Sequence, residues 1–350
     1  MVKVGIVGAG GYAGQTLLSL LLRHPEVKVV WLMSEEAHKG KDISDLFPHL
    51  KGICNLVCTT LDDMDNVVQD IDLVFLALPH GFAINYVPKI LKAGKKVVDL
   101  GADYRFNDEA VFKKWYGLDH PDKAVLAEAV FGLPELYKDQ IKKARLIGNP
   151  GCYPTASTLG IAPLVKNKLV DLNSIVVDAK SGVSGAGRGV SLKVHFCERN
   201  EGVTAYAVTN HRHMGEISYQ ASKVAGENVN VTFVPHLMPM NRGIHATIYA
   251  KLTKEQSALT TKELVELYKK FYKDAAFVRI VEGIEPCTKN VSGTNYCDIG
   301  VAISPESKTV VVMSVIDNLI KGAAGQAVQN MNLMYGFEES LGLKLIAIYP

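Results

Sequence analysis

Long apolar runs are missing from this chain of 350 residues: none approaches the roughly 20 residues that a membrane-spanning helix needs. An excess of either charge is missing too. The 38 basic and 36 acidic residues leave a formal net charge of +2 and no basic cluster stands out, so neither nucleic acid nor an anionic membrane is expected as a partner. The lysine pairs Lys95-Lys96, Lys142-Lys143 and Lys269-Lys270 read as solvated positions. Cysteine is sparse. Cys54, Cys58, Cys152, Cys197, Cys287 and Cys297 are scattered and form no CxxC pair, and no His-x-His partner lies near Cys54 and Cys58, so free thiols and no metal centre are expected. Internal repeats and low-complexity linkers are absent. The chain opens directly into a strand with no signal-peptide pattern, and a cytoplasmic location is the expectation.

What remains is a composition of 48% hydrophobic and 21% charged residues, which can bury a large core, and a length that suits two domains. The apolar, β-branched run Val2–Val7 reads as a strand. It meets Gly8-Ala9-Gly10-Gly11-Tyr12-Ala13-Gly14, and Gln15–His24 then reads as a buried helix. Strand, glycine turn and helix come in the order of a dinucleotide-binding βαβ unit, where glycine lets a pyrophosphate approach the N–H groups of the helix start. The next strand, Val27–Met33, should end near the adenosine ribose. There Ser34, Lys39 and Lys41 suit a 2′-phosphate, whereas Glu35 and Glu36 suit the free hydroxyl of NAD. Further strands at Asp72–Pro79 and Lys95–Gly101, with a helix around Ala83 to Ala93 between them, place Pro79, His80 and Gly101 at the cofactor cleft.

The dense turn Gly148-Asn149-Pro150-Gly151 follows the apolar run Ala144–Ile147 and precedes a helical stretch, Thr155–Ala162. Cys152 therefore falls at or just before a helix N-terminus, where the helix dipole favours the nucleophilic thiolate. Taken alone, a buried inert cysteine fits equally well. Beyond it, strand patterns at Ser174–Ala179, Asn230–Val234, Ile244–Ala250, Val278–Val281 and Thr309–Val315 alternate with helical patterns near His213–Ala225 and Thr261–Tyr272. A final helix, Gly322–Tyr335, could return to the first domain. The fold class is α/β: a Rossmann dinucleotide-binding domain plus a second α+β domain with a mixed sheet. Three clusters in the second half carry chemical options. Ser181–Gly189 is glycine-rich with hydroxyls and Arg188. His211-Arg212-His213 offers a general acid or base, metal ligands, or only polar residues at a helix start. Pro239–Gly243 carries Arg242, which could clamp a carboxylate or phosphate.

Ile147-Gly148-Asn149-Pro150-Gly151-Cys152-Tyr153-Pro154-Thr155-Ala156, continuing through Gly160, Ile161 and Pro163, resembles the active-site signature of the N-acetyl-gamma-glutamyl-phosphate reductases. These are NADP-dependent enzymes of arginine biosynthesis within the aspartate-semialdehyde dehydrogenase superfamily. The resemblance extends to Gly8–Gly14, Leu78–Gly81, Asp99–Arg105, Gly132–Glu135, Ser181–Arg188, His211–His213 and Asp317–Gly322, nearly the whole chain. Two positions depart from the family: Gly215 stands where proline is common, and Glu35 where an arginine often follows the serine.

The resemblance implies reversible reduction of an acyl phosphate to an aldehyde, with Cys152 as nucleophile and His211 or His213 as acid/base. It implies NADP(H) held by Gly8, Gly11, Tyr12, Ala13, Gly14, Ser34, Lys39, Pro79, Ser181, Gly182 and Asn318. The substrate residues implied are Arg105, Ser184, Arg188, Glu198 and Arg242, of which the arginines suit a substrate bearing a carboxylate and a phosphate. The cofactor domain would span 1–150 and about 318–350, and a catalytic and oligomerisation domain 151–317, in a homo-oligomer, dimer or tetramer. A relative acting on carrier-linked aminoadipyl phosphate in lysine biosynthesis leaves the substrate open. A non-catalytic NADP-binding sensor would need neither the cysteine nor the histidines, and an aldehyde dehydrogenase of sugar phosphates would not account for Ser181–Arg188 or His211–His213.

Overall fold

The structure is a computed structural model that describes residues 1–349. The chain divides into two compact units, one of Met1–Pro150 and Ala323–Lys344, the other of Gly151–Gly322 and the tail from Leu345. Sequence patterning returned everything after about 318 to the first domain. The segment up to Gly322 and the tail belong instead with the second unit: Gly322 packs on Cys152, and the Ile348 N–H donates to the Ser292 carbonyl.

The first unit holds strands β1 (Val2–Val7), β2 (Val27–Met33), β3 (Cys58–Thr59), β4 (Leu73–Leu76), β5 (Lys96–Asp99), β6 (Val130–Phe131) and β7 (Leu146–Gly148). They form one sheet in the order β3-β2-β1-β4-β5-β7-β6, and every pairing is parallel. The order reverses between β1 and β4, the switch point where open α/β sheets bind ligands. All four residues of β4 are buried, as a parallel strand covered on both faces requires. Helix Gly325–Met334 is buried throughout. Its Asn330 Nδ2 donates to the Gly132 carbonyl and to Asn149 Oδ1, at 2.9 and 3.0 Å, and so holds the turn that follows β7.

The second unit holds β8 (Ile175–Gly182), β9 (Thr204–Ala205), β10 (Val231–Met238), β11 (Ile244–Lys251), β12 (Val278–Ile280), β13 (Cys297–Ser304) and β14 (Thr309–Ile316). Their order is β12-β13-β14-β11-β8-β10-β9, with parallel pairs at β8–β10 and β12–β13 and antiparallel pairs elsewhere: a mixed sheet. Alternate residues of β11, from Ile244 through Ala250, face the core. Helices Cys152–Lys166, Arg212–Ala225 and Thr261–Phe271 pack on the sheet and on one another.

The Cys152 helix is the centre of this packing, with every residue from Tyr153 to Val165 buried. Pro163 lies inside it and has no N–H for the Leu159 carbonyl. The Tyr272 hydroxyl donates to that carbonyl at 2.6 Å, so the helix runs through the proline with the lost bond replaced.

Candidate active site

The glycine turn after β1 is shaped by contacts that forbid side chains. Gly8 has φ +90°, and a Cβ there would strike the Ala77 carbonyl oxygen beyond β4. A Cβ on Gly14 would strike the Gly8 carbonyl oxygen. The backbone therefore closes tightly over the switch point. Gly11 caps helix Tyr12–Leu21 without a side-chain bond, and no acidic residue occupies the first turn, so the N–H groups of Tyr12, Ala13 and Gly14 form a start suited to an anion.

Ser34, beyond β2, is buried and its Oγ lies 2.9 Å from His38 Nδ1. Both side chains sit against Gly10, where a Cβ would meet them. Lys39 is exposed and lies 3.7 Å from Glu36. Glu35 and Lys41 are exposed, as are Pro79 and His80 past β4. The structure thus gathers the glycine turn, Ser34 and the loop after β4 at one end of the sheet. Arg105 is one of the substrate residues that the resemblance implies. It is buried in the first unit, with Nε donating to the Asn149 carbonyl at 2.8 Å and Nη2 to the Leu100 carbonyl at 2.9 Å.

In the second unit Cys152 is the first residue of its helix, with Gly151 as cap and no acidic residue in the first turn. It is half-buried. The Gly151 N–H, one of the donors a helix start leaves unpaired, goes to Glu216 Oε1 at 2.9 Å. Glu216 is fully buried in helix Arg212–Ala225, one turn beyond His213. The carboxylate therefore ties the histidine helix to the head of the cysteine helix. Tyr153 lies between these elements, its ring 5.9 Å from both His211 and His213. Its hydroxyl donates to the His236 carbonyl at 3.1 Å and accepts from the Tyr206 hydroxyl at 3.2 Å. Burial raises both phenols, Tyr206 to about 12, so both stay neutral.

The two histidines, equivalent in sequence, are unlike in structure. His211 caps its helix: Nδ1 accepts the backbone N–H of His213 at 3.1 Å. Its ring is enclosed by Tyr206, Phe233 and His213 at 5.6, 5.5 and 4.8 Å. Burial first, and the Arg212 charge second, push it down to about 4, so it is neutral at physiological pH. His213 lies one residue inside the helix.

The glycine-rich loop leaves β8 through Ser181, which is buried with Oγ donating to the Gly182 carbonyl at 3.0 Å. Ser184 Oγ accepts from Asn318 Nδ2 at 3.0 Å, and Asn318 Oδ1 accepts the Gly243 N–H at 2.8 Å. Arg242 Nη1 lies 3.3 Å from Asp317 Oδ2, and buried Asp317 also accepts the N–H groups of Gly293, Leu319 and Ile320. These bonds stitch three loops to the π-helical turn Ile320–Ala324, where the Gly322 backbone presses on the Cys152 side chain. Arg188, near the end of that loop, and Glu198, on the segment beyond it, are exposed. Sequence reading missed Glu216, Asp317, Tyr153, Tyr206 and His38. Tyr153 and Asp317 lie inside stretches that carry the family resemblance, and Glu216 left a signal of its own, a carboxylate on the buried stripe Gly215, Glu216, Ile217, Gln220, Ala221.

Comparisons with known proteins agree with this geometry. A family model described as semialdehyde dehydrogenase, NAD binding domain, matches residues 3–144, and one described as semialdehyde dehydrogenase, dimerisation domain, matches 152–318. Among solved structures, aspartate semialdehyde dehydrogenase II from Vibrio cholerae superposes with a TM-score of 0.73 at 16% identity, covering 95% of this chain and 98% of that one. Aspartate semialdehyde dehydrogenase with NADP from Candida albicans gives 0.68 at 17% identity, covering 96% and 99%. Curated N-acetyl-gamma-glutamyl-phosphate reductases from Desulforamulus reducens and Geobacter metallireducens are 48% and 50% identical over the full length of both chains. The chain belongs to the N-acetyl-gamma-glutamyl-phosphate reductase family of the semialdehyde dehydrogenases.

Proposed function

We propose that this protein reduces N-acetyl-gamma-glutamyl phosphate to N-acetylglutamate semialdehyde, a step of arginine biosynthesis, through a thioester on Cys152. The observation that carries the reading is a half-buried cysteine at a helix start, tied by Glu216 to the helix of His213. The helix start favours thiolate. The thiolate attacks the acyl carbon, a C–S bond forms, the acyl C–O bond to the phosphate breaks, and inorganic phosphate leaves with the electron pair and takes up one proton from solvent. NADPH, when bound, supplies the hydride that reduces the thioester carbon. His213 protonates the resulting oxyanion, then takes the hydroxyl proton back as the C–S bond breaks and aldehyde and thiolate separate. His211, neutral and fixed as the cap, orients His213 through its backbone N–H. The sum is acyl phosphate, NADPH and one proton giving aldehyde, NADP⁺ and phosphate.

The first unit fits a dinucleotide: the cradle at Gly8 and Gly14 is one that a Cβ would fill. Gly8, Gly11, Tyr12, Ala13 and Gly14 would hold the pyrophosphate, with Pro79 bordering the cleft. Ser34, Lys39 and Lys41 would meet a 2′-phosphate, which favours NADP over NAD. Ser184, Arg188, Glu198 and Arg242 are the substrate candidates of the second unit, and this unit would carry self-association into a dimer or tetramer. The test is the reverse reaction. With NADP, phosphate and N-acetylglutamate semialdehyde, absorbance at the NADPH band should rise. The aminoadipate analogue should respond more weakly. A stronger response to that analogue would transfer the assignment to lysine biosynthesis, and no response to either would reject it.

A further inference from the structure

The loop that follows β2 takes two side chains out of solvent and leaves their neighbours in it. Ser34 is buried and His38 is half-buried, whereas Glu35, Glu36, Ala37 and Lys39 are exposed. The loop is fastened at both ends to the neighbouring strand. The Ser34 N–H donates to the Thr59 carbonyl at 3.1 Å, and the Gly40 N–H to the Cys58 carbonyl at 2.9 Å. Between these anchors lies the 3₁₀ turn Glu36–His38, closed by the His38 N–H, which donates to the Glu35 carbonyl at 2.8 Å. The turn brings His38 Nδ1 to 2.9 Å from Ser34 Oγ. The glycine turn is tied to the same place: the N–H groups of Gly8 and Ala9 both donate to the Met33 carbonyl, at 3.0 and 2.9 Å. A Cβ on Gly10 would overlap Ser34 Oγ and lie 3.3 Å from His38 Nδ1. The backbone of the dinucleotide turn therefore packs directly against a serine–histidine pair that the fold holds in place.

A serine hydroxyl has one proton, and its partner decides where that proton goes. If Nδ1 is bare, Ser34 donates to it and shows a ligand only lone pairs. If Nδ1 carries a proton, His38 donates to Ser34 Oγ and the serine proton is left for an acceptor. A 2′-phosphate is rich in acceptors, whereas a 2′-hydroxyl can donate or accept. We propose that His38 sets cofactor specificity through Ser34: it donates Nδ1–H to Ser34 Oγ and so holds the Ser34 hydroxyl as a donor for the 2′-phosphate of NADP. His38 acts through the serine, so its role is positioning. Without it the hydroxyl rotates among its acceptors and has to be fixed each time the cofactor binds. The assignment rests on the NADP reading of the first unit. It also gives that reading a source of selectivity at a place where the family often has an arginine and this chain has Glu35. The cations of the loop are placed less well, since Lys39 lies 3.7 Å from Glu36 and both Lys39 and Lys41 are exposed.

Calorimetric titration with NADP and with NAD tests the assignment on the wild type, His38→Leu, His38→Asn, Ser34→Ala and the double variant Ser34→Ala/His38→Leu. His38→Leu has no donor, and its NADP Kd should rise about fivefold, the worth of one hydrogen bond. Its NAD Kd should not change, which also shows that the variant is folded. Asparagine carries an amide N–H, so His38→Asn should recover most of the loss. Ser34→Ala removes the charge-assisted bond itself and should cost about tenfold or more in NADP affinity. The double variant should lose no more than Ser34→Ala, because the histidine works through the serine. Unchanged NADP affinity in His38→Leu overturns the proposal. Equal losses for NAD and NADP leave His38 only a structural role and overturn it too. Losses that add in the double variant give His38 a contact of its own and overturn the route through Ser34. Failure of the underlying reading shows in the wild type alone: NAD bound as tightly as NADP contradicts it and takes the proposal with it.

Discussion

Glu216 Oε1 accepts the backbone N–H of Gly151 at 2.9 Å, and this buried bond joins the helix of the histidines to the cap of the cysteine helix. A glutamine keeps an oxygen acceptor there and an alanine does not. Glu216→Ala leaves a buried N–H unpaired, at ~1–3 kcal/mol. The melting temperature should fall by several degrees and kcat should drop with it, while Glu216→Gln restores most of both. Equal losses in the two variants would show that the charge of Glu216 matters and not its bond to the cap.

The histidines should separate cleanly. Asparagine is a good helix cap, so His211→Asn keeps an acceptor for the His213 N–H and should cost little activity. His213→Asn removes the acid/base and should slow turnover by ~10² to 10⁴-fold. The pH profile of kcat/KM should shift for the His213 variant only. Similar small losses for both would assign them structural roles.

His211 also makes a stability prediction. Its value is depressed to about 4 in the folded chain, so its contribution is present above the unfolded value near 6.5 and is lost as pH falls toward 4. Denaturant titrations at pH 7 and pH 4.5 should show His211→Asn less sensitive to acid than wild type. Identical sensitivity would mean that the ring is not buried as described.

Much of this site was legible in the sequence, and for definite reasons. The run from Val2 to Gly14 and the turn before Cys152 carry their structure locally, in glycine placement and turn chemistry, and strand, turn and helix follow in the order read, with the helices beginning at Tyr12 and Cys152, earlier than the Gln15 and Thr155 of the sequence pattern. The short strands β3, β6 and β9 are two residues each and have no periodicity to detect. β13 escaped because Asp298 and Gly300 interrupt its apolar pattern. There Arg279 is what makes a buried aspartate tolerable, through a paired contact of 2.6 and 2.9 Å. Glu216 and Asp317 were invisible as anchors because their partners are backbone N–H groups and an arginine far along the chain. Arg242 reads in sequence as a free clamp and is in fact held by Asp317.

Cofactor choice turns on the loop after β2. If Lys39 and Lys41 meet the 2′-phosphate, alanine at either should weaken NADP binding about tenfold, since a charge-assisted hydrogen bond is worth ~1.5–3 kcal/mol, and leave NAD binding unchanged. Calorimetric titration of both cofactors decides it. Equal wild-type affinity for NAD and NADP would assign the ribose to Glu35 and Glu36.

The central claim is a covalent thioester, and intact-protein and peptide mass spectrometry tests it directly. Incubation with N-acetyl-gamma-glutamyl phosphate in the absence of NADPH should add one N-acetylglutamyl group, mapped to Cys152, with release of phosphate. Cys152→Ser should show no adduct and no turnover while still binding NADP, because the hydroxyl is far less nucleophilic at neutral pH. An adduct on another residue, or turnover retained by the serine variant, would contradict the account.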